Sequence, residues 1–330
     1  MKPLNKLMQV EEANQLIKQG NTLFLAGNED VLRKLVLGNW IGGTIPYFMD
    51  VKGGCFNKEL IFVTDITGLC SKISIKEYNK STLKNLTSER FKNGFTQLII
   101  PGFSEIHQFY ANEVYSNSEI FDSPLVGWIS GIDLQELGKI TPKIVNGLTG
   151  VFSDKNAIAM HVSLPVDKYA NVDIINFFEQ GSGDIIYFKE EGFTCKNCLI
   201  NGKDENLADY LIAKGIDTKL PLVANYSGAM INISFQNVDK ENHKVTFYAP
   251  VRTETEYKIA KPVVDYVSEF NKVLPPDISK VLFSCNCILN YLYSELEGKS
   301  TGNITGPITF GEIAYVLVNQ TLVYLSILDK

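Results

Sequence analysis

The sequence lacks the short motifs by which nucleotide-binding and hydrolytic proteins are most often recognised. It contains no G-x-x-x-x-G-K-[ST], no G-x-S-x-G, no H-E-x-x-H and no G-x-G-x-x-G after a predicted strand. Histidine is also scarce, with three in 330 residues. These absences disfavour the familiar nucleotide-binding, hydrolase and protease functions, and they leave open an enzyme with an unfamiliar catalytic motif.

Basic residues are neither abundant nor concentrated in one segment. The 31 lysines and arginines are outnumbered by 37 acidic residues, which gives a net charge of -6. Nucleic acids and anionic membranes are bound through basic surfaces. We therefore expect neither of them as a partner.

Long apolar runs are missing as well. No stretch reaches the roughly 18 apolar residues of a membrane span, and the first residues show no pattern typical of a signal peptide. Six cysteines in a chain without an export signal are expected to be reduced thiols. The sequence thus predicts a cytoplasmic protein.

Hydrophobic periodicity predicts a mixed α/β (α+β) fold. Residues 1–150 alternate strand and helix, and residues 151–330 are richer in strands. We expect two lobes with these bounds, each a mixed β-sheet with helices packed on it. The predicted elements include helices at 10–19, 28–37, 79–93 and 261–273, a helix capped by Ser104, an irregular segment at 39–49 and a hairpin around 190–192.

The C-terminal segment carries a recognisable series of motifs. Val281-Leu-Phe-Ser-Cys285 is a predicted strand that ends in Ser-Cys. Gly306-Pro-Ile-Thr-Phe-Gly-Glu312-Ile follows, and Asn319-Gln-Thr precedes a final strand. In order and spacing this segment resembles the C-terminal half of the FIST family of sensory domains. The resemblance implies an intracellular fold that binds a small molecule, often proposed to be an amino acid, and signals to a partner protein; some members are described as haem-linked sensors.

A glycine–aromatic segment in the N-terminal half is the first candidate for a ligand-binding wall. Trp40, Gly42, Gly43 and Tyr47 occur within eight residues. Glycines allow close approach of the backbone to a ligand, and aromatic rings can line a pocket. A tight turn with two core aromatic residues is the structural alternative.

Polar residues of the C-terminal motifs are candidates for the opposite wall. An isolated carboxylate among apolar strands is costly unless it is paired or hydrogen-bonded, so Glu312 either holds a ligand amine or accepts structural hydrogen bonds. The same two interpretations apply to Asn319. We predict a non-catalytic site between the lobes, with Cys285, Glu312 and Asn319 facing the glycine–aromatic segment.

Cysteine and histidine suggest three further functions. Cys285 could act as a nucleophile at a helix N-terminus, with His107 or His161 as its base. Either histidine could be a haem ligand or contact a small ligand, and both are included among the predicted ligand-binding residues. The pairs Cys195/Cys198 and Cys285/Cys287 could together bind zinc. The prediction adopted is a protein without a cofactor, with haem and zinc as alternatives.

Overall fold

Strands make up most of the regular structure, and the helices are few and short. The computed structural model describes residues 4–226, 229–275 and 277–330. The predicted mixed α/β fold class is confirmed. Within the described residues, no helix has the length and apolar character needed to cross a lipid bilayer.

The helices are α1 (Val10–Lys18), α2 (Glu29–Leu32), α3 (Glu105–Glu113), α4 (Leu207–Ala213), α5 (Tyr266–Lys272) and α6 (Ile288–Tyr293). Short 3-10 turns occur at Thr67–Leu69, Leu83–Leu86, Val114–Ser116, Ser118–Asp122, Leu134–Glu136 and Ile278–Lys280.

The strands of the first half are β1 (Leu4–Met8), β2 (Leu23–Gly27), β3 (Trp40–Thr44), β4 (Tyr47–Asp50), β5 (Gly53–Phe56), β6 (Ile61–Asp65), β7 (Lys72–Tyr78), β8 (Gly94–Pro101), β9 (Leu125–Ser130), β10 (Ile144–Asn146), β11 (Val151–Ser153), β12 (Ala157–Ser163) and β13 (Lys168–Ile175). Those of the second half are β14 (Ile186–Tyr187), β15 (Gly192–Cys195), β16 (Asn197–Ile200), β17 (Lys203–Asn206), β18 (Leu222–Tyr226), β19 (Ala229–Ile233), β20 (Phe235–Asp239), β21 (Lys244–Val251), β22 (Tyr257–Ile259), β23 (Val281–Cys287), β24 (Gly306–Thr309), β25 (Glu312–Ala314), β26 (Val316–Val318) and β27 (Leu322–Asp329).

These strands form five sheets. Sheet 1 has the order β1-β6-β2-β3-β10-β11, sheet 2 the order β26-β25-β9-β8-β12-β7, and sheet 3 the order β13-β27-β23-β24-β4-β5. Sheet 4 has the order β17-β16-β14-β22-β18-β19, and sheet 5 the order β15-β21-β20. Three neighbouring pairs are parallel, namely β2/β3, β8/β9 and β23/β24, and the other pairs are antiparallel.

The predicted boundary at residue 150 does not coincide with a division between sheets. In sheet 2, β25 from the C-terminal motifs pairs with β9, so that Glu312 lies opposite Trp128. In sheet 3, β24 pairs with β4 of the first half. Strands from both sides of residue 150 therefore share three sheets, since β11 also pairs with β10 in sheet 1.

Sheet 1 separates two hydrophobic cores. Along β2, Phe24 and Ala26 belong to the main core, whereas Leu23 and Leu25 face a smaller core that is covered by α1. This alternation follows from the two-residue period of side chains in a strand. Neighbouring residues of this sheet consequently face different cores.

Several local predictions are confirmed and others are wrong. The helix at 10–19 is α1, and the Ser104 side chain caps α3 by accepting from the backbone N–H of His107. The helix predicted at 28–37 extends only over Glu29–Leu32, and residues 33–39 form turns and bends that lead to β3, which is parallel to β2. The segment 39–49 contains β3 and β4 instead of irregular structure.

Three further predictions are confirmed only in part. The helix predicted at 79–93 is reduced to the 3-10 turn Leu83–Leu86. The strands predicted on the two sides of 190–192 do pair, since β14 is antiparallel to β16 in sheet 4, but their connection is longer than predicted and contains β15, which pairs with β21 in sheet 5. The predicted helix at 261–273 begins later, at Tyr266.

Candidate functional site

Trp40 and Gly42 lie on the face of sheet 1 that is covered by α1. Trp40 is buried in the smaller core, and its Nε1 donates to the carbonyl oxygen of Val36 over 3.0 Å. A Cβ on Gly42 would lie 2.9 Å from the carbonyl oxygen of Leu25 and 3.4 Å from the Trp40 ring. Close packing within the sheet accounts for both residues.

Gly43 and Tyr47 contact the main core instead. A Cβ on Gly43 would lie 2.7 Å from the Trp128 ring, so this glycine makes room for an indole. The Tyr47 hydroxyl accepts from the backbone N–H of Leu134 over 3.2 Å, and its ring packs edge-on against Tyr291 with centroids 5.6 Å apart. The four residues of the predicted first wall thus divide between the two cores, and Tyr47 belongs to sheet 3, whereas the other three belong to sheet 1.

Glu312 is fully buried and hydrogen-bonded to hydroxyl groups. Its Oε2 accepts from the Thr321 Oγ1 over 2.8 Å, and Thr309 Oγ1 lies 3.4 Å from Oε1. Burial raises the pKa of Glu312 to about 8, against the opposing effect of the Thr321 hydrogen bond. A carboxyl group in this state is mainly protonated at neutral pH, and its contacts are those of the structural interpretation.

Cys285 does not have the environment of an activated nucleophile. It lies within β23, whereas α6 begins three residues later with Cys287 at its N-cap, so the predicted position at a helix N-terminus is wrong. The Cys285 thiol is buried, and its sulfur lies 3.4 Å from the carbonyl oxygen of Gly127. Burial raises the pKa of Cys285 well above its usual value, followed in size by the effect of Glu312. Thiolate formation is therefore disfavoured at this position.

Asn319 belongs to a buried polar network. The network joins the C-terminal motif to residues near strands β18 and β19 of sheet 4. Its Oδ1 accepts from both the backbone N–H of Ser234, over 3.0 Å, and the Ser234 hydroxyl, over 2.6 Å. The adjacent Gln320 side chain donates to the carbonyl oxygen of Lys219 over 3.0 Å. The Asn319 oxygen is thus occupied by protein donors.

His161 has a hydrogen-bond partner at each ring nitrogen. Tyr78 lies 2.8 Å from Nε2, and Thr96 Oγ1 lies 2.9 Å from Nδ1. The Tyr78 hydroxyl donates to Glu89 over 2.6 Å, so it accepts from His161 Nε2–H. The ring is fully buried, which lowers the pKa of His161 to about 4. Neither nitrogen is available to a metal or a ligand.

His107 lines a cavity of about 190 Å³ between the first turn of α3 and sheet 5. The cavity wall is mainly aromatic, with Phe103–Phe310 ring centroids 5.6 Å apart and His107–Phe193 centroids 6.5 Å apart. Its lining residues are Gly102, Phe103, His107, Gln108, Ile129, Phe193, Thr194, Gln236, Thr246, Phe247, Tyr248 and Phe310. No charged side chain occurs among these described lining residues.

The backbone at the start of α3 determines which ring nitrogen of His107 carries the proton. Phe103 adopts a left-handed conformation with φ of 60°, which is uncommon for a bulky residue. Its N–H donates to His107 Nδ1 over 3.3 Å. Burial lowers the pKa of His107 to about 4, so the ring is neutral near pH 7. Because Nδ1 is an acceptor, the single proton lies on Nε2.

The Nε2–H group of His107 is a buried donor for which no described residue supplies an acceptor. Buried donors are nearly always paired. Among the nine predicted site residues, His107 therefore combines a cavity with unused hydrogen-bonding capacity. Of the other eight, Asn319 also has a buried donor, Nδ2, without a described acceptor, but it does not line this cavity; the remaining seven are held by packing or by protein hydrogen bonds.

The proton on Nε2 also bears on the haem alternative. A histidine that ligates a metal through Nε2 needs that nitrogen free of its proton and normally donates from Nδ1. In His107 the Phe103 N–H occupies Nδ1 and favours the opposite tautomer. The residues present thus do not fit a haem iron at His107.

The four cysteines considered for zinc do not form a joint site. Among the described residues, no three His, Cys, Asp or Glu side chains come together as a metal-binding group. Cys195 and Cys198 lie at the junction of β15 and β16, whereas Cys285 and Cys287 lie in β23.

Most of the cavity lining was not predicted from the sequence. Phe310 belongs to the motif Gly306 to Ile313, but its ring was not recognised as part of a site. Phe193 and Tyr248 come from β15 and β21, and no spacing in the sequence indicates that these strands meet α3. The one local signal for this site was the sequence Gly102-Phe103-Ser104, which directly precedes the residues of α3.

Arg252 fixes the far end of α3 to sheet 5. Its Nη2 donates to the carbonyl oxygens of Ala111 and Asn112 over 2.9 and 3.1 Å, and its Nη1 pairs with Glu191 over 2.6 Å. Cationic groups at a helix C-terminus satisfy its last carbonyls. The helix is thus attached to sheet 5 at one end and faces the cavity at the other.

Comparison with known proteins identifies the family of the chain. A family model described as a family of unknown function, DUF6976, matches residues 8–328, and the chain belongs to this family. A search of curated proteins found no match. The resemblance to FIST domains stays a prediction.

Proposed function

We propose that this protein is a non-catalytic sensory protein of the cytoplasm that binds a small molecule in the cavity beside His107. The observation that carries the proposal is the unpartnered, buried Nε2–H of His107, a residue that lines an aromatic cavity. An unsatisfied buried donor costs about 1–3 kcal/mol, and a ligand acceptor would recover part of that cost.

The lining of the cavity favours an uncharged ligand. A carboxylate or an ammonium group transferred into such a site without a paired charge is strongly disfavoured. His107 is neutral, and the described lining residues include no lysine, arginine or acidic residue. A neutral carbonyl compound suits this site better than a zwitterionic amino acid.

The size and the walls of the cavity limit the ligand further. A volume of about 190 Å³ is below the roughly 300 Å³ at which pockets for drug-sized ligands begin. Phe103, Phe193 and Phe310 provide faces and edges against which a flat ring can pack. We therefore propose a single-ring aromatic amide or ketone as the ligand class.

Signalling would use the attachment of the two walls to different sheets. The His107 wall extends from β8 of sheet 2, and the Thr194 wall belongs to sheet 5. A ligand that contacts both walls would favour one spacing between them. A partner protein that contacts sheet 5 could then distinguish the bound from the free state.

Ligand binding can be tested with benzamide as the probe and phenylalanine as the charged comparison. We expect benzamide to raise the melting temperature and to give a calorimetric binding isotherm, whereas phenylalanine has no effect. His107→Phe keeps a ring in place but removes the N–H donor, and should weaken benzamide binding about tenfold or more. Thr194→Leu should block the site from the opposite wall.

His243→Ala is the matched control, because His243 is exposed and pairs with Asp209 on the surface. It should bind benzamide like the unmodified protein. If the His107 and Thr194 variants both bind benzamide as tightly as the unmodified protein does, the proposed site is wrong. Binding of phenylalanine in preference to benzamide would show that the proposed ligand class is wrong.

A further inference from the structure

β13 forms one edge of sheet 3 along its whole length. It pairs with β27 from Lys168 to Ile175 without a shift in register, and no described strand pairs with its other side. Edge strands are usually protected by a short length, a bulge, lysine or proline, because an open edge attracts other strands. β13 has no proline and no bulge, and its one lysine, Lys168, lies at the first position and pairs with Asp329 of β27. The edge is therefore long, regular and weakly protected.

The register of β13 and β27 shows which backbone groups of β13 point outward. The Lys330 N–H donates to the carbonyl oxygen of Asp167 over 3.0 Å, so these two residues form a hydrogen-bonded pair. Such pairs alternate along antiparallel strands, so Ala170, Val172 and Ile174 direct their N–H and C=O groups away from β27. Among the described residues, no group forms a hydrogen bond with these outward backbone groups. β13 thus presents donors and acceptors in the pattern that another strand requires.

Apolar side chains flank the outward backbone groups. Ile174 is 38% exposed and Tyr169 is 40% exposed, and they lie on opposite faces of the strand. Ala170 is 8% exposed, and its methyl group belongs to the main core. A further strand at this edge would cover apolar surface as well as pair the backbone.

We propose that the outer edge of β13 pairs with the same edge of a second copy of this chain. The two strands would be antiparallel about a two-fold axis at Val172, which is the isologous arrangement of a symmetric dimer. Val172 then lies opposite Val172 of the second copy, and Ala170 lies opposite Ile174 of the second copy. This register uses all three outward residues of each strand, in three pairs with two backbone hydrogen bonds each.

The order of side chains along β13 fits this self-pairing. On one face, the small Ala170 lies opposite the larger Ile174 of the second copy. On the other face, Asn171 lies opposite Asp173, so an amide donor meets a carboxylate and no like charges are directly opposed. Tyr169 lies opposite Ile175, and pairs of an aromatic and a β-branched residue stabilise neighbouring strands. The strand is thus complementary to itself in shape and in polarity.

One neighbouring register is less favourable because of the start of the strand. A shift of two residues would place Ile174 opposite Lys168 of the second copy. The Lys168 N–H already donates to the carbonyl oxygen of Pro165 over 3.1 Å, so it is not free for pairing. The register centred on Val172 is therefore the one to test.

Sedimentation equilibrium over a range of protein concentrations can test the assembly. The unmodified chain should approach the mass of two chains at the highest concentrations. Val172→Lys opposes two like charges on the axis, and Val172→Pro removes an outward N–H without removing a bond to β27. Each variant should raise the dissociation constant of the dimer at least about tenfold. Val166→Lys, at a valine that is 86% exposed and precedes β13, is the matched control and should associate like the unmodified chain.

Chemical crosslinking tests the register itself. With a short bifunctional maleimide, the introduced thiols of Val172→Cys should link two chains, and peptide mapping should place the link between the two copies of position 172. Val166→Cys should not form the equivalent link, because its two thiols would lie at opposite ends of the paired strands. Circular dichroism establishes that each variant is folded before its association is compared.

Three results would overturn the proposal. The first is the mass of a single chain for the unmodified protein at every concentration. The second is a dimer that persists unchanged in both Val172→Lys and Val172→Pro, which would place the interface elsewhere. The third is crosslinking of Val166→Cys as efficient as that of Val172→Cys. None of these measurements involves benzamide, so their outcome is independent of the ligand site beside His107.

Discussion

The Thr321 hydroxyl donates a 2.8 Å hydrogen bond to Glu312 in a part of the core that excludes solvent. The structure places no cation against this carboxyl group among the described residues. The Thr321 backbone N–H also donates to Glu312, over 3.4 Å, but these hydrogen bonds do not offset the loss of hydration of a buried charge. The pKa of Glu312 is accordingly raised to about 8 by burial.

Glu312→Gln should remove a pH-dependent loss of stability. The pKa of Glu312 is about 8 in the folded protein and near 4.5 in the unfolded chain, so the folded state binds one more proton between these values. The free energy of unfolding should therefore fall as the pH rises through this window, by up to about 1.4 kcal/mol per pH unit. The glutamine variant should lack this contribution and exceed the unmodified protein in stability at pH 8–9.

Urea unfolding at pH 5, 7 and 9 measures this dependence. Glu59→Gln, at an exposed glutamate, is the control and should keep the pH profile of the unmodified protein. If the free energy of unfolding depends on pH in the same way in the Glu312 variant and in the unmodified protein, Glu312 is ionised in the folded core.

Gly306→Ala should strongly destabilise the protein. A Cβ at this position would lie 2.0 Å from the carbonyl oxygen of Ser284, so β23 and β24 could not approach each other as they do. We expect a loss of about 3 kcal/mol or more, or failure to fold. Gly183→Ala is the control, because a Cβ there meets no atom within 4 Å, and should change stability by no more than about 0.5 kcal/mol. Similar unfolding midpoints for the two variants would contradict this account of the motif glycine.

Tyr78→Phe should destabilise the core around His161. The substitution removes the only acceptor seen at His161 Nε2–H among the described residues and leaves that donor buried. The expected cost is about 1–3 kcal/mol in the free energy of unfolding at pH 7. Tyr169→Phe is a matched control at a tyrosine that is 40% exposed. Equal denaturation curves for both variants would mean that His161 finds another acceptor.

Asn319→Ala should lower stability without changing ligand binding. It leaves the backbone N–H of Ser234 without its acceptor, at a cost of about 1–3 kcal/mol, whereas the Ser234 hydroxyl keeps Gln320 Oε1 as an acceptor. Benzamide affinity should stay that of the unmodified protein, because Asn319 does not line the cavity beside His107. Asn303→Ala, at an exposed asparagine, is the control for stability. A loss of benzamide affinity in a folded Asn319 variant would show that Asn319 does belong to the binding site.

The predictions that succeeded rest on local chemistry. The pattern of α1 and the Ser104 cap of α3 depend on residues within a few positions of each other. The segment Trp40 to Met49 was misjudged because glycine is disfavoured in strands unless another group needs the space. Here the spaces are used by the backbone of Leu25 and by the ring of Trp128, and neither contact can be inferred from nearby sequence.

The candidate site shows the same limit. His107 was identified as a candidate because histidine is scarce, but its tautomer depends on the backbone of Phe103. The aromatic partners arrive from β15 and β21, more than eighty residues further along the chain. Sequence patterns predict which side chains can bind a ligand or react, whereas long-range strand pairing determines which of them come into contact.

The position of β27 has a consequence for synthesis of the protein. β27 pairs on one side with β13 and on the other with β23, so a strand that follows both of its partners in the sequence lies inside sheet 3. Before β27 leaves the ribosome, β13 and β23 have no partner at these edges. Unpaired edges of this kind favour aggregation, and pairings distant in sequence form slowly. We therefore expect sheet 3 to be completed only after β27 has left the ribosome, and chaperones to protect the nascent chain until then.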